Sequence, residues 1–236
     1  MATPPESRPE ARLANSQSRA RERLGYLLGK LASGEPAPAS GSAAAAVLAV
    51  SAALLQKVAV RSDKWNGARS AHEKAEALRL RAEELIELDS IGFLEFLDAT
   101  RSGRDAIGAR DKTIDTPLEM ARSGVAVVKL ARDLESNGNQ NLRADAVAAA
   151  TLAAAAVNVA AMLVDVNIGP GAADPRRAEA QRLLRAVSAS ADRPAVRGRV
   201  DDSGRARGRS RDSDRPTRPR TSRGGPSERD GRRPGS

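Results

Sequence analysis

Two segments of the chain consist largely of alanine, and each begins directly after a short polar stretch. Ala43 to Val60 follows the stretch from Pro36 to Ser42, and Ala146 to Ile168 follows Gly138 to Asp145. Alanine has the highest intrinsic helix propensity, and alternating β-branched patterns are scarce, so both segments predict helices rather than strands. Because alanine side chains are small, we expect these helices to pack closely against their neighbours.

The polar stretch before the first alanine-rich helix has the composition of a helix start. Prolines and Gly41 break the backbone there, and Ser42 is placed to cap the exposed N–H groups of the helix. Free N–H groups at a helix start bind anions and other acceptors. We therefore expect this stretch to form an anion or amide site.

The 236 residues suffice for one domain with extensions, and 40% of them are hydrophobic. The aromatic residues are only Tyr26, Trp65, Phe93 and Phe96. The core must therefore be built from alanine, leucine and valine. The absence of cysteine excludes disulfides, thiol nucleophiles and thiolate metal sites, and the single histidine, His72, excludes multi-histidine zinc sites. We expect no metal site.

Helical patterns and Gly/Pro punctuation divide the chain into five clear helices and a sixth. The predicted helices are Ser18–Ser33, Ser42–Ser62, Asn66–Arg101, Asp115–Ser136, Leu142–Ile168 and Asp174–Ser190. Short connections between long helices favour an antiparallel bundle. We predict an all-α domain over residues 18–190, between a flexible segment at 1–17 and a disordered Arg/Gly/Ser/Pro-rich tail at 191–236.

The net charge of +9 lies almost entirely in that tail. From Arg193 to Ser236 there are fourteen arginines against six acids. With almost no apolar residue, the tail cannot offset the entropy of ordering. It predicts weak, salt-sensitive, sequence-independent contact with nucleic acid, or a solvated extension without a specific role.

The cellular location is predicted from two features. Met1 to Ala20 is polar and has no apolar signal core, which favours the cytoplasm. The segment Ala146 to Ile168 is long enough to span a membrane, but Thr151, Asn158 and Asp165 interrupt it. We expect a buried helix of a soluble protein and no membrane partner.

Asp89 is the residue that stands out on the third helix. It shares one helix face with Leu78, Ala82, Leu85, Phe93 and Phe96. A carboxylate inside an apolar stripe must find hydrogen-bond partners or accept a proton. Asp89 could therefore turn to solvent at the edge of the stripe, pair with an arginine, or serve a functional site.

The fifth helix carries a similar polar line. Thr151, Asn158 and Asp165 are spaced seven residues apart, which is typical of a seam that fixes helix register or of one wall of a ligand cleft. Asp145 lies in the first turn of that helix, where a carboxylate is favoured by the helix dipole, so capping and a site role are compatible. Lys57 and Lys64 are either solvated or placed to meet the carboxylates of a ligand.

The order of these pieces resembles the cyclodeaminase/cyclohydrolase family. The family pattern is a Pro-x-Pro-Gly-Gly-Gly-Ser-like loop, an alanine-rich helix, an Asp-x-x-x-Phe step, then Gly-Asn-Pro-Asn and Ser-Asp-Ala before a second small-residue helix. The matching pieces are Pro36 to Ser42, Asp89 with Phe93, Thr116 to Glu119, Gly138 to Asn141, and Asp145. The resemblance covers roughly residues 20 to 170.

The resemblance implies a helical homodimer that binds folate in a cleft near the subunit interface. The implied reaction is closure of formimidoyl-tetrahydrofolate to methenyl-tetrahydrofolate with loss of ammonia, or hydrolytic opening of methenyl-tetrahydrofolate. The implied acid/base residues are Asp89 and Asp145, and no cofactor is needed beyond the tetrahydrofolate substrate. The implied ligand-binding residues are Pro38, Ser40, Gly41, Ser42, Lys64, Asn139 and Asn141.

Four positions depart from the family pattern. Ala39 and Ser40 replace two glycines of the first loop, Gln140 replaces the proline of the second, and Ala144 replaces the serine before Asp145. Side chains at 39 and 40 occupy space that glycines leave open for a ligand. The alternative function is therefore a non-catalytic helical binding or scaffold protein with a degenerate folate site.

Overall fold

A computed structural model describes residues 24–191, with side chains to residue 189. The helices in this range are α1 over residues 24–31, α2 Ser40–Val60, α3 Ala68–Arg101, α4 Ile107–Asn137, α5 Arg143–Ile168 and α6 Pro175–Ala191. A short 3₁₀ turn, Gln140–Leu142, precedes α5, and the described residues contain no strand. The predicted all-α fold is confirmed.

The helices α2 to α5 form a ring in which each packs against the next and α5 closes against α2, while α6 packs on α4 and α5. The helices α2 and α5 run antiparallel: Lys57 near the end of α2 pairs with Asp145 near the start of α5, whereas Gly41 and Val166 meet at the opposite ends. The predicted antiparallel bundle is therefore confirmed. The expected homodimer remains a prediction.

The core consists mainly of small side chains. Of the 35 buried apolar residues in the described range, 19 are alanine and none is aromatic. Helices packed through alanine approach closely, and a Cβ on Gly124 of α4 would collide with Val157 of α5. The predicted core of alanine, leucine and valine is confirmed.

Polar contacts fix the helices around this core. The Arg81 guanidinium of α3 holds the Glu119 carboxylate of α4 with two hydrogen bonds of 2.6 and 2.8 Å, a bidentate geometry that lowers the pKa of Glu119. Arg176 of α6 reaches Asp111 and Asp115 of α4, each at 2.9 Å. These contacts fix the position of α4 against α3 and α6.

The predicted start of α4 is wrong. The helix begins at Ile107 rather than Asp115, because the Asp105 carboxylate accepts a hydrogen bond from the Ile107 N–H at 3.0 Å. The charged residues that follow form ion pairs instead of a loop: Lys112 pairs with Glu95 at 2.6 Å. Pro117 consequently lies inside the helix rather than near its start.

The other boundaries agree within two residues where the structure describes them. Only residues 24–31 of the predicted helix Ser18–Ser33 lie in a described helix, and its first six residues lie outside the described range. The predicted flexible segment 1–17 also lies outside it. Of the predicted tail at 191–236, residues 192–236 lie outside it as well.

Two helices meet the length and composition of a membrane span. They are Ser40–Val60 and the stretch Gln140–Ile168, which includes α5, and 44% of the apolar window of each is buried inside the protein. Core helices of soluble proteins meet the same criteria. The remaining surface of α2 and α5 forms one exposed face, which we call the α2/α5 face; its exposed residues include Val50, Ala53, Ala155 and Met162.

Candidate functional site

Asp89 and the start of α2 form the centre of the candidate site. The Ser42 hydroxyl lies 2.9 Å from Asp89 Oδ2, and the Ser42 backbone N–H also donates to the Asp89 carboxylate. The Asp89 side chain therefore lies at the positive end of the α2 dipole, where it accepts the free N–H of Ser42. Asp89, contributed by α3, does for α2 what an N-cap side chain does.

The predicted capping role of Ser42 is wrong for the same reason. The helix begins at Ser40, and its N-cap residue is Ala39, whose side chain forms no capping hydrogen bond. Ser42 is thus the third helical residue and is fully buried. Its hydroxyl contacts Asp89, the Ile86 carbonyl oxygen at 3.1 Å and the Ser90 hydroxyl at 3.0 Å.

Gly41 allows Asp89 to approach α2 this closely. A Cβ built on Gly41 would overlap the oxygen atoms and Cγ of the Asp89 carboxylate. The glycine is therefore required by the carboxylate, whether or not a ligand also lies against it. The side chains at Ala39 and Ser40 are exposed, so the two departures from the family loop fall where no protein group is displaced.

The pKa of Asp89 is raised above its usual value. Burial of the carboxylate is the main cause, and the two hydrogen bonds from Ser42 oppose it only in part. No arginine or lysine in the described range forms an ion pair with Asp89, so the arginine-paired alternative does not hold there. A half-buried carboxyl group with a raised pKa keeps its proton to a higher pH than an exposed aspartate does, which suits it to take up and return a proton.

Asp89 faces a cavity of about 230 Å³. The cavity lies between the start of α2, the middle of α3, the first half of α4 and the end of α5, and we call it the Asp89 cavity. Its lining residues are Ala37, Ala39, Ser40, Gly41, Asp89, Phe93, Lys112, Thr113, Thr116, Leu163, Val166 and Asn167. Polar groups and one aromatic ring thus surround the carboxyl group, and Pro38 lies in the loop just before α2, after a cis peptide bond.

A second cavity, of about 450 Å³, lies at the far end of α2. It is formed by the α2–α3 connection and the α4–α5 connection, and we call it the amide cavity. Its lining residues are Arg61, Ser62, Asp63, Lys64, Trp65, Asn137, Gly138, Asn139, Gln140 and Asn141. The buried Ser62 hydroxyl accepts the Asn139 N–H at 2.8 Å, and Asn139 Nδ2 donates to the Arg61 carbonyl oxygen at 2.8 Å, so the two loops are tied together.

Most of the sequence-predicted site residues therefore fall into two groups within one chain. Ser40, Gly41 and Asp89 line the Asp89 cavity, and Ser42 is buried behind it, where it holds Asp89. The second group, Lys64, Asn139 and Asn141, lines the amide cavity. The two ends of α2 are about 30 Å apart at a rise of 1.5 Å per residue, so one small ligand cannot contact both groups in the same chain.

Asp145 belongs to neither cavity lining. Its carboxylate pairs with Lys57 Nζ at 2.7 Å, on the surface that joins the end of α2 to the start of α5. The polar line on α5 also lies on the surface: Thr151, Asn158 and Asp165 are exposed, and Asp165 pairs with Arg177 at 2.6 Å. Within the chain these residues neither fix helix register nor line a described cleft.

The sequence reasoning did not assign four polar residues of the Asp89 cavity to the site: Lys112, Thr113, Thr116 and Asn167. Lys112 approaches α3 at Gly92, where a Cβ would lie 3.3 Å from the Lys112 Cβ. Asn167 donates from Nδ2 to the Thr113 carbonyl oxygen at 2.6 Å. The usable signal was Pro117, since a proline inside a helix leaves the carbonyl four residues earlier without its helical partner.

Comparison with known proteins agrees with this architecture. The family model described as formiminotransferase-cyclodeaminase matches residues 23–182. The crystal structure of formiminotetrahydrofolate cyclodeaminase from Thermotoga maritima superposes with a TM-score of 0.63 and 24% identity, covering 71% of this chain and 90% of the other. At that identity the superposition shows a shared fold.

No curated protein matches the sequence. The family match nevertheless spans more than half of the chain and includes every helix from α2 to α5. It also includes both cavities and all the residues predicted to form the site. The chain therefore belongs to the formiminotransferase-cyclodeaminase family.

Proposed function

We propose that the protein interconverts one-carbon derivatives of tetrahydrofolate at the Asp89 cavity. The observation that carries this proposal is the Asp89 carboxyl group, which is half-buried, raised in pKa and fixed at the start of α2 by Ser42. The favoured reaction is cyclodeamination of formimidoyl-tetrahydrofolate, and cyclohydrolysis of methenyl-tetrahydrofolate is the related alternative. Both reactions need one group that takes up and returns a proton.

In the deamination, a second folate nitrogen attacks the carbon of the protonated formimidoyl group. A carbon–nitrogen bond forms, giving a tetrahedral carbon, and the attacking nitrogen gives its proton to the Asp89 carboxylate. Asp89 then returns that proton to the departing amino group, the second carbon–nitrogen bond breaks, and ammonia leaves. The protons balance with the methenyl cation and ammonia as products, and no oxidation state changes, so the proposed reaction needs no redox cofactor.

The remaining predicted residues at this end have supporting roles in the proposal. Ser40 and the backbone at Gly41 would contact the polar head of the folate, and Ser42 positions the Asp89 carboxylate. Pro38 shapes the loop that leads into α2. A volume of about 230 Å³ lies below the 300–1000 Å³ typical of pockets that enclose a whole drug-sized ligand, so we assign the cavity to the reacting end of the folate.

We also propose that the active form is a homodimer assembled through the α2/α5 face. The amide cavity, with Arg61 and Lys64, lies at one end of this face, and the Asp89 cavity lies at the other end. Antiparallel pairing of two copies would bring the amide cavity of one chain to the Asp89 cavity of its partner. In that arrangement Lys64, Asn139 and Asn141 of one copy would meet the folate carboxylates at the other copy's Asp89 cavity.

The function is tested by following the absorbance of methenyl-tetrahydrofolate with purified protein. We expect the wild type to form it from formimidoyl-tetrahydrofolate and Asp89→Asn to lower kcat by at least about 100-fold. Asp145→Asn is the matched control, because Asp145 is a carboxylate paired with Lys57 outside the Asp89 cavity. A larger loss from Asp145→Asn than from Asp89→Asn would assign the proton transfer to Asp145, and an inactive wild type would favour the scaffold alternative.

Location and minor partners follow from the same proposal. A folate enzyme of this kind acts on a soluble metabolite, so we place it in the cytoplasm without a membrane partner. The arginine-rich tail adds weak, salt-dependent contact with nucleic acid. Neither property contributes to the chemistry at Asp89.

A further inference from the structure

Pro117 leaves one carbonyl group of α4 without its helical partner. Proline has no N–H, so the Thr113 carbonyl oxygen, four residues earlier, receives no hydrogen bond from residue 117. The side chain of Asn167, at the end of α5, supplies the missing bond: Nδ2 donates to that oxygen at 2.6 Å. Both Thr113 and Asn167 line the Asp89 cavity.

This bond determines which way the Asn167 amide faces. A carbonyl oxygen only accepts, so the amide must direct its NH₂ group to Thr113 and cannot turn around without opposing two oxygens. The backbone at this point is held as well, because the Arg110 side chain donates to the carbonyl oxygens of Asn167 at 3.2 Å and Ile168 at 2.5 Å. Asn167 is therefore fixed through its side chain and its main chain.

The second polar atom of the amide is left for a ligand. Among the described residues, Asn167 Oδ1 accepts no hydrogen bond, and it is not a buried unsatisfied atom, so it has open space beside it. With one N–H of the amide bonded to Thr113, the Oδ1 atom remains as an acceptor at this end of α5. A ligand group that donates N–H fits this oxygen, whereas a ligand oxygen would have to turn to the second N–H of Nδ2.

We propose that Asn167 is a specificity-determining residue that accepts an N–H from the terminal nitrogen of the substrate's one-carbon group. The inference rests on the proposed function and deepens it, because it selects an amidine-type substrate over its formyl counterpart. The formimidoyl group ends in a nitrogen that carries hydrogen. The formyl group ends in an oxygen, which at the same position would lie against Asn167 Oδ1 with no proton between them.

The expected size of the preference for the formimidoyl compound can be taken from binding sites that recognise a substrate through one hydrogen bond. A site that bonds a substrate N–H discriminates strongly against an analogue that lacks it, because a polar group is then left unpaired. Since Asn167 borders an open cavity rather than a sealed pocket, we expect at least about a tenfold preference rather than the upper limit of such sites. The preference is carried by one oxygen atom, so its removal should erase it.

The experiment compares the two compounds on wild type and Asn167→Leu, a change that keeps the side-chain size and removes the acceptor. Formimidoyl-tetrahydrofolate is measured by kcat/KM, and formyl-tetrahydrofolate by its inhibition constant against that reaction. We expect kcat/KM to fall at least about tenfold while the inhibition constant changes less than about twofold. If Asn167→Leu weakens the reaction of the formimidoyl compound and the binding of the formyl compound equally, or weakens neither, the inference is overturned while the proposed function stays in place.

Pro117→Ala provides an independent variant that changes no cavity side chain. Alanine restores the N–H that competes for the Thr113 carbonyl, so the Asn167 amide is released while the helix gains a hydrogen bond. We expect a smaller preference for the formimidoyl compound together with an unchanged or higher melting temperature. An unchanged preference would overturn the orienting role of Thr113, and wild type that turns over no formimidoyl-tetrahydrofolate would remove the proposed function and this inference together.

Discussion

The Asp89 carboxylate fills the space in which a Cβ on Gly41 would lie. A carboxyl group on one helix thus lies directly against the backbone of the first turn of another, held by the Ser42 N–H and hydroxyl. The two positions depend on each other, because any side chain at 41 displaces the carboxylate. The chemistry of the site is therefore sensitive to a residue that carries no functional group.

Gly41→Ala should lower the activity while leaving the fold stable. The new methyl group would move the Asp89 carboxylate away from the start of α2, and a misplacement of about 1 Å costs on the order of 100-fold in rate. Alanine is a better helix former than glycine, so the melting temperature should change little. Gly34→Ala is the control, since a Cβ at Gly34 meets no atom within 4 Å; full activity in Gly41→Ala would contradict the contact.

The stability of the protein should carry a pH signature of Asp89. Its pKa is raised in the folded state by burial, so the folded protein binds this proton more tightly than the unfolded chain. The contribution is fully present below the unfolded pKa and is lost as the pH rises through the folded pKa. Asp89→Asn has no such loss, so the unfolding free energy of the variant relative to wild type should rise with pH over that window.

Urea unfolding at a series of pH values measures this difference directly. Asp145→Asn is the matched comparison, because the structure places Asp145 in an ion pair at the surface rather than in the core. A difference between Asp89→Asn and wild type that stays flat with pH, or falls as the pH rises, would argue against a raised pKa at Asp89.

Ala155→Leu tests the proposed dimer. Ala155 is exposed on the α2/α5 face, so a larger side chain fits within one chain and should leave the helical circular dichroism intact. If a second copy covers this face, the extra volume should weaken the dimer by about 1–3 kcal/mol. Sedimentation should show dissociation at concentrations where the wild type is dimeric.

Ala77→Leu, on an exposed position of α3, is the control for that experiment. Ala154 is less informative than its neighbour, because it is partly buried and packs against the core of its own chain. A dimer that tolerates Ala155→Leu as well as it tolerates Ala77→Leu would move the interface to another surface.

Removal of the tail should leave the domain intact. A chain that ends at Asp192 keeps all the described helices and loses fourteen arginines. Its melting temperature should match that of the full chain, and any binding to RNA should disappear with the tail and weaken steeply with salt. A loss of several degrees would mean that the tail packs on the domain.

The sequence predicted the parts of the fold that depend on local pattern. The alanine-rich segments and the apolar stripe around Asp89 correspond to α2, α5 and the inner face of α3. The start of α4 was missed because its first turns are polar, and their contacts, such as Lys112 with Glu95, are made with another helix. The local periodicity of a sequence does not reveal contacts between different helices.

The site was predicted less completely than the fold. Asp89 was found because a carboxylate interrupts an apolar stripe, which is visible along one helix. The distance between Lys64 and Gly41 follows from the length of α2, but the sequence pattern alone did not show which loops lie next to each other. Asn167 was missed because its orientation depends on a carbonyl 54 residues away that Pro117 leaves free.

The predominance of alanine in the core has a consequence for precision. A methyl side chain has no rotamers, so more than half of the buried apolar positions cannot adjust to a disturbance by changing rotamer, and there the main chains themselves set the spacing between helices. The relative position of Asp89 on α3 and Asn167 on α5 is then a property of backbone geometry. Any enlargement of the interior therefore shifts whole helices and, with them, the Asp89 carboxylate.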